Sequence, residues 1–218
     1  MKIKFKKGLV IFFMFVPLIV TFIFLNYLPE SIPVHYGANG EVTRWGSKYE
    51  SLIIPLIGLI ICLISNIFTN SAVKKSEYKK NNNMLNMCNV VLLIMFNIVT
   101  ISMLINNLNQ ITDLNNSFSS KLIYVAFGII FIVIGSYLPK CKRNGLVGIR
   151  TSHTLSSDDI WYKTNKFGGK ILVVFGCIYT IISLFIPISI AMTILIISLI
   201  TITVIVSIYA KKLPNKNN

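Results

Sequence analysis

Acidic side chains are scarce in this chain: seven Asp and Glu stand against 21 Lys and Arg, and there are two histidines. His35 invites a metal or acid-base reading, but no second His, Cys or acid sits at ligand spacing, so a turn or interface role, and no metal site, is expected. No phosphate-binding loop or paired nucleophile and base is visible either, which excludes the common enzyme chemistries and any cofactor they would need. The four cysteines give no disulfide framework: Cys62, Cys88 and Cys177 lie in apolar runs and Cys141 in a basic segment, and all four read as small buried hydrophobes. Charge as a whole is thin. Charged residues make up 13% and hydrophobic ones 54% of the chain, with a mean hydropathy of +0.72, whereas a soluble domain carries roughly 25% charged residues. The composition is that of an integral membrane protein whose first partner is the lipid bilayer. A net charge of +14 could suggest nucleic acid. That reading needs the cations gathered on one soluble face, and here they alternate with apolar runs, so no direct nucleic-acid binding is expected.

What is present is a series of apolar runs. The first, 8–28, follows a basic head (Lys2, Lys4, Lys6, Lys7) and lacks a small-residue cleavage site after it. At about 20 residues it is long enough to cross a bilayer and is expected to remain as a span, with Pro17 a kink. Further spans are expected at 52–68, 84–105 and 122–138. Asn89 and Asn97, in the third, are expected to hydrogen-bond between helices. The stretch 171–210 carries no charge. As one helix it would be about 60 Å long, about twice the hydrocarbon thickness, so it is expected to turn at Pro187 into spans at 171–186 and 189–209.

The expected architecture is therefore an all-α membrane protein of six transmembrane helices with both termini cytoplasmic. It divides into a two-helix hairpin over 1–70, with an extracytoplasmic loop at 29–51, and a four-helix core over 84–210, with a cytoplasmic loop at 139–170. Eighteen of the 21 basic residues fall in the four segments read as inside. Only Arg44, Lys48 and Lys121 fall outside, and no charge sits within a span, so the orientation is strongly specified. Proton-coupled carriers and intramembrane hydrolases usually need an ionisable group at membrane depth.

The longest polar segment, 140–170, holds seven cations and two acids, Asp158 and Asp159. Ser156 is expected to cap a helix there with Asp159 as the capping-box acid. Trp161 reads as an interfacial anchor, and Gly168 and Gly169 as a break before the fifth span. Arg150 is expected to pair with Asp158 or Asp159, or else to meet a partner.

The run Asn144, Gly145, Leu146, Val147, Gly148, Ile149, Arg150 and Thr151, followed by Thr154, Leu155, Ser156, Trp161, Thr164, Asn165 and Gly168, resembles the signature of the SdpI family. Ser152 and His153 stand where that pattern has a proline and an aromatic residue. The outside loop, with Pro29, Pro33, His35, Tyr36, Gly40, Trp45, Gly46 and Lys48, is similar to an uncharacterised domain that often precedes the SdpI core. The resemblance implies a multi-pass bacterial membrane protein giving immunity to a secreted, membrane-active peptide toxin, with no catalysis of its own. In some members it also implies signalling, by capture of a cytoplasmic transcriptional autorepressor. Candidate contacts with toxin or partner are His35, Tyr36 and Trp45 outside, and Arg150, Thr151, Thr154, Ser156, Trp161 and Asn165 inside. A small exporter of a peptide or other amphiphile is the alternative.

Overall fold

The computed structural model describes residues 7–74 and 80–214. Lys2, Lys4, Lys6, Lys75, Lys79 and Lys216, which enter the count of inside charges, lie outside the described residues. The chain runs through α1 (Lys7–Phe24), a hairpin of β1 (Ser31–Tyr36) and β2 (Val42–Ser47), α2 (Ile53–Val73), α3 (Asn82–Leu108), α4 (Phe118–Tyr137), the short α5 (Ser152–Ser156), α6 (Asp158–Ile182) and α7 (Ile188–Lys212). Five helices, α2, α3, α4, α6 and α7, are long and apolar enough to cross a membrane, while the apolar stretch of α1, Val10–Phe24, is shorter. Their outward faces are lined with large apolar side chains, such as Ile60, Ile64 and Ile67 on α2 and Ile196, Ile197 and Ile200 on α7. So broad an apolar surface suits lipid rather than water.

With lipid outside, burying apolar area does not drive helices together; close packing and interhelical hydrogen bonds do. Both are visible. Ser65 and Thr69 on α2 donate their hydroxyls to Asn89 Oδ1 on α3, at 2.5 and 3.4 Å. Asn97 Nδ2 donates to the carbonyl oxygens of Phe13 on α1 and Leu93 on its own helix. Both asparagines therefore tie helices together, as their positions suggested. Met14, Cys62 and Leu93 fill the space between α1, α2 and α3.

The tightest pair is α4 with α6, which run antiparallel with backbone on backbone. A Cβ added at Gly135 would stand 2.7 Å from the carbonyl oxygen of Gly169, and one at Gly176 would stand 2.6 Å from that of Gly128. Only glycine permits this approach. It also corrects the expectation of a break at Gly168 and Gly169, because α6 passes through both without interruption. The packing gained across the α4 interface outweighs glycine's low helix propensity. The fifth apolar segment thus begins as the continuation of a helix that starts at Asp158, not at 171.

The segment between α1 and α2 departs from the all-α expectation. β1 and β2 pair antiparallel, with Ser31 opposite Ser47 and Pro33 opposite Trp45. Sequence reading took this segment for a loop because prolines and glycines punctuate it. The structure accommodates them at an isolated two-stranded edge, where Pro33 needs no ladder donor, and at the turn, where Gly40 adopts φ +88°.

Candidate functional site

Two polar assemblies sit at opposite ends of the helices. The basic one is residues 138–157. After a 3-10 turn at Leu138–Lys140 the chain has no regular structure until α5, and its backbone groups are satisfied by side-chain amides instead. Asn81, just before α3, accepts the Lys142 N–H at 2.8 Å and donates to the Lys142 carbonyl at 3.0 Å. Asn144 accepts the N–H groups of Leu146 and Val147 and donates to the Lys142 and Val147 carbonyls. Asn165 accepts from Ile149 and donates to the Trp161 carbonyl.

Trp161 is 2% exposed and donates Nε1–H to the Cys141 carbonyl at 2.8 Å. It is a core residue packed with Met84, Leu138 and Cys141, not an anchor at the bilayer surface. Gly148, at φ +118°, lies against its ring. Burial pushes the Cys141 thiol above its ordinary pKa, so it is a poor nucleophile.

The caps differ from expectation by one residue. Ser157, not Ser156, is the N-cap of α6, with backbone φ −147° and ψ 142° and a hydroxyl that accepts from Asp159 N–H. Ser156 instead closes α5 by donating to the His153 carbonyl. Thr151 caps α5 in a reciprocal box with Thr154, whose hydroxyl also donates to the Ile149 carbonyl. A serine pair offers two cap positions, and α5 occupies the first.

Neither acid takes Arg150. Arg143 Nε pairs with Asp158 at 2.7 Å and Lys163 Nζ with Asp159 at 2.7 Å. Arg150 is exposed, and no ion pair engages it among the described residues. His153, in the position where an aromatic residue was expected, reaches the end of α7: its Nε2 lies 3.1 Å from the Leu213 carbonyl oxygen, which can only accept. Of the six candidates expected on the inside, then, Thr154, Trp161 and Asn165 are buried scaffold, Thr151 is half-buried, and Arg150 and Ser156 are exposed.

The opposite assembly is a cap made from the hairpin, the α3–α4 loop and the start of α7. Asn115 joins all three: Nδ2 donates to the Asn39 carbonyl at 2.6 Å, and Oδ1 accepts from Ser189 N–H and hydroxyl. Tyr36 donates its hydroxyl to the Ile111 carbonyl at 2.9 Å, and burial raises its pKa. His35 is exposed and makes a 2.6 Å cross-strand bond to the Thr43 hydroxyl. Trp45 is exposed, as are Tyr27 and Tyr49 nearby in sequence.

Arg44 and Glu50 form a 2.7 Å ion pair, and this bond holds the Glu50 carboxyl below its ordinary pKa. Beneath the hairpin lies a cavity of about 460 Å³, lined among others by Ile32, Tyr36, Ser102, Asn107, Tyr124 and Phe127. Ser102 Oγ is buried without a hydrogen-bond partner among the described residues. Among those residues no group of three His, Cys, Asp or Glu side chains could hold a metal.

Residues 140–210, which begin at the basic loop and end in α7, match the SdpI/YfhL protein family. Residues 12–59, covering most of α1, the hairpin and the start of α2, match a domain of unknown function, DUF1648. The chain is 28% identical over 170 residues to "Immunity protein SdpI" of Bacillus subtilis, covering 77% of this chain and 76% of that protein. A second match, 46% identical over 44 residues, is to an uncharacterized protein of Archaeoglobus fulgidus and covers 20% of this chain and 24% of that one. No solved structure matches the chain. With its apolar helices and these matches, the chain is a multi-pass cell-membrane protein.

The matched segment contains the residues whose order carried the resemblance, and the structure gives several of them one task. Asn144, Gly148, Thr154, Trp161 and Asn165 fold the loop onto α6. Asn81 and Asn115 escaped sequence reading, since an asparagine in a polar stretch looks like any loop residue. Their long-range partners, Lys142 and Ser189, are what mark them.

Proposed function

We propose that the chain is a membrane-embedded immunity protein that protects a bacterium from a secreted, membrane-active peptide toxin. The observation that carries this reading is the 28% identity, sustained over 77% of the chain, with a protein named for immunity. In this reading six helices span the bilayer with both termini cytoplasmic. The N-terminal hairpin unit, 1–70, then receives the peptide outside and the core, 84–210, answers it inside. The cavity under the hairpin is of ligand-pocket size and mostly apolar, with a few hydroxyl and amide groups and the Arg44–Glu50 ion pair in its lining, which suits an apolar stretch of peptide. His35 and Trp45 lie on the exposed hairpin beside it. On the opposite side, Arg150, exposed and without an ion pair among the described residues, presents its guanidinium to a cytoplasmic partner such as an autorepressor.

Expression in cells sensitive to an Sdp-type peptide tests the proposal. Protection is expected while toxin still accumulates on the cells. Protection accompanied by loss of toxin from the cells would make the chain an exporter, and a fully inserted protein that gives no protection overturns the reading.

A further inference from the structure

At the basic end of the helices, a cleft of about 740 Å³ opens where the chain leaves α4 and enters α3. Lys80, Lys140, Lys142 and Arg143 line it, with Asp158 and Tyr162. Asp158 is the one acid in the lining and is already paired with Arg143. The three lysines have no carboxylate partner among the described residues. These cations come from two segments distant in sequence, fastened together by the two hydrogen bonds between the Asn81 side chain and the Lys142 backbone. The cleft is therefore built by the fold and is not a solvated run of charge.

Its depth narrows the ligand. Lys140 lies three residues beyond α4 and Lys80 two residues before α3. At roughly 1.5 Å to 3.3 Å per residue, both backbones stay within about 10 Å of the span ends, at the level of lipid headgroups. Aromatic rings of the kind that settle at that level accompany them: Lys140 Nζ sits 5.0 Å from the Tyr137 ring centroid, and half-exposed Tyr162 carries Lys166 Nζ at 5.4 Å. A recess between span ends, walled by ammonium groups, fits a phosphate that enters from the leaflet with its acyl chains still in the bilayer. The four cations are themselves exposed, so what favours a lipid over an acidic protein surface is their level at the span ends and the tyrosines that share it.

We propose that this cleft binds the headgroup phosphate of an anionic phospholipid. The site is independent of the immunity reading, because it needs neither toxin nor partner protein. The test is thermal unfolding of the purified full chain in neutral micelles titrated with phosphatidylglycerol, phosphatidylcholine, inorganic phosphate or a polyglutamate peptide.

Phosphatidylglycerol is expected to raise the melting temperature where the other three do not. Lys140→Gln with Lys142→Gln is expected to raise the half-maximal phosphatidylglycerol concentration by about fivefold per lysine. Lys211→Gln with Lys212→Gln removes the same charge from the last turn of α7 at the same end of the bundle, and is expected to leave it unchanged. Should the first pair melt early without lipid, Lys80→Gln alone serves, with about a fivefold change.

Equal weakening by both pairs would reduce the effect to general surface charge and overturn the site. So would an equal response to phosphatidylcholine. A matching shift with inorganic phosphate would reassign the cleft to a free anion. A shift with polyglutamate but none with phosphatidylglycerol would reassign it to an acidic protein.

Discussion

The backbone N–H of Ile149 donates to Asn165 Oδ1 at 2.9 Å, across 16 residues of chain. With the Trp161–Cys141 bond and the Arg143–Asp158 ion pair, it holds the loop that carries Arg150 against α6. Asn165 is fully buried, and Asn165→Ala leaves the part-buried Ile149 donor without this partner, at an expected cost of about 1–3 kcal/mol. Limited proteolysis should show faster cleavage after Arg143 and Arg150, with a lowered melting temperature in detergent. Unchanged cleavage would mean that the loop is held by Asn144 and Trp161 alone.

The α4–α6 contact predicts a second outcome. A Cβ at Gly169 would stand 2.5 Å from the Gly135 carbonyl oxygen, whereas one at Gly8 meets nothing within 4 Å. Gly169→Ala is expected to destabilise by about 1–3 kcal/mol, the usual cost of overpacking. Gly8→Ala should be close to neutral. A melting comparison of the two variants decides it, and equal melting would show that the helices can part without loss.

Capping separates two adjacent serines. Ser157→Ala is expected to cost about 1 kcal/mol and Ser157→Gly only a few tenths. Ser156→Ala, which removes a bond at the exposed end of α5, should cost less than Ser157→Ala. Hydrogen exchange across the first turn of α6 measures the difference. A larger effect at Ser156 would restore the cap to the residue that sequence alone favoured.

For topology, single cysteines are introduced into a background without the four native ones. Cysteine at Ser31, Asn39 or Phe118, all exposed, is expected to react with an impermeant thiol reagent on intact cells. Cysteine at Ser152 or Ser156, also exposed, should react only after permeabilisation. Reaction of Ser156→Cys in intact cells would refute six spans with cytoplasmic ends.

The two polar assemblies should fail separately. Arg150→Ala and Arg150→Lys are both expected to abolish signalling to a cytoplasmic partner while leaving membrane levels normal, since lysine lacks the planar fork. His35→Ala and Trp45→Ala, on the exposed hairpin, should reduce protection from toxin by at least about tenfold, a loss of about 1.4 kcal/mol in binding. Full protection and signalling in Arg150→Ala cells would remove the basic loop from the mechanism.

Sequence by itself determined the membrane character, the apolar segments, the two polar loops and the ordered residues that resemble the SdpI/YfhL family. Each of these follows from hydrophobicity, charge or local order, which neighbours in the chain carry without help from the fold. The helix-bonding roles of Asn89 and Asn97 were legible for the same reason, because a polar side chain in a long apolar run has few partners except another helix.

Tertiary structure decided the rest. Gly168 and Gly169 read locally as a break, but α4 supplies a backbone surface that only glycine can approach, so the helix continues. Trp161 reads locally as an interfacial residue, but Gly148 and the Cys141 carbonyl enclose it. Asp158 and Asp159 read as partners for Arg150, but the geometry of α6 gives them to Arg143 and Lys163. Apart from Lys163, which meets Asp159 at i,i+4 on α6 itself, the competing group lies on another element, at a distance no local pattern encodes. For that reason the basic cleft, assembled from Lys80 and Lys140 across Asn81, exists only once the chain has folded.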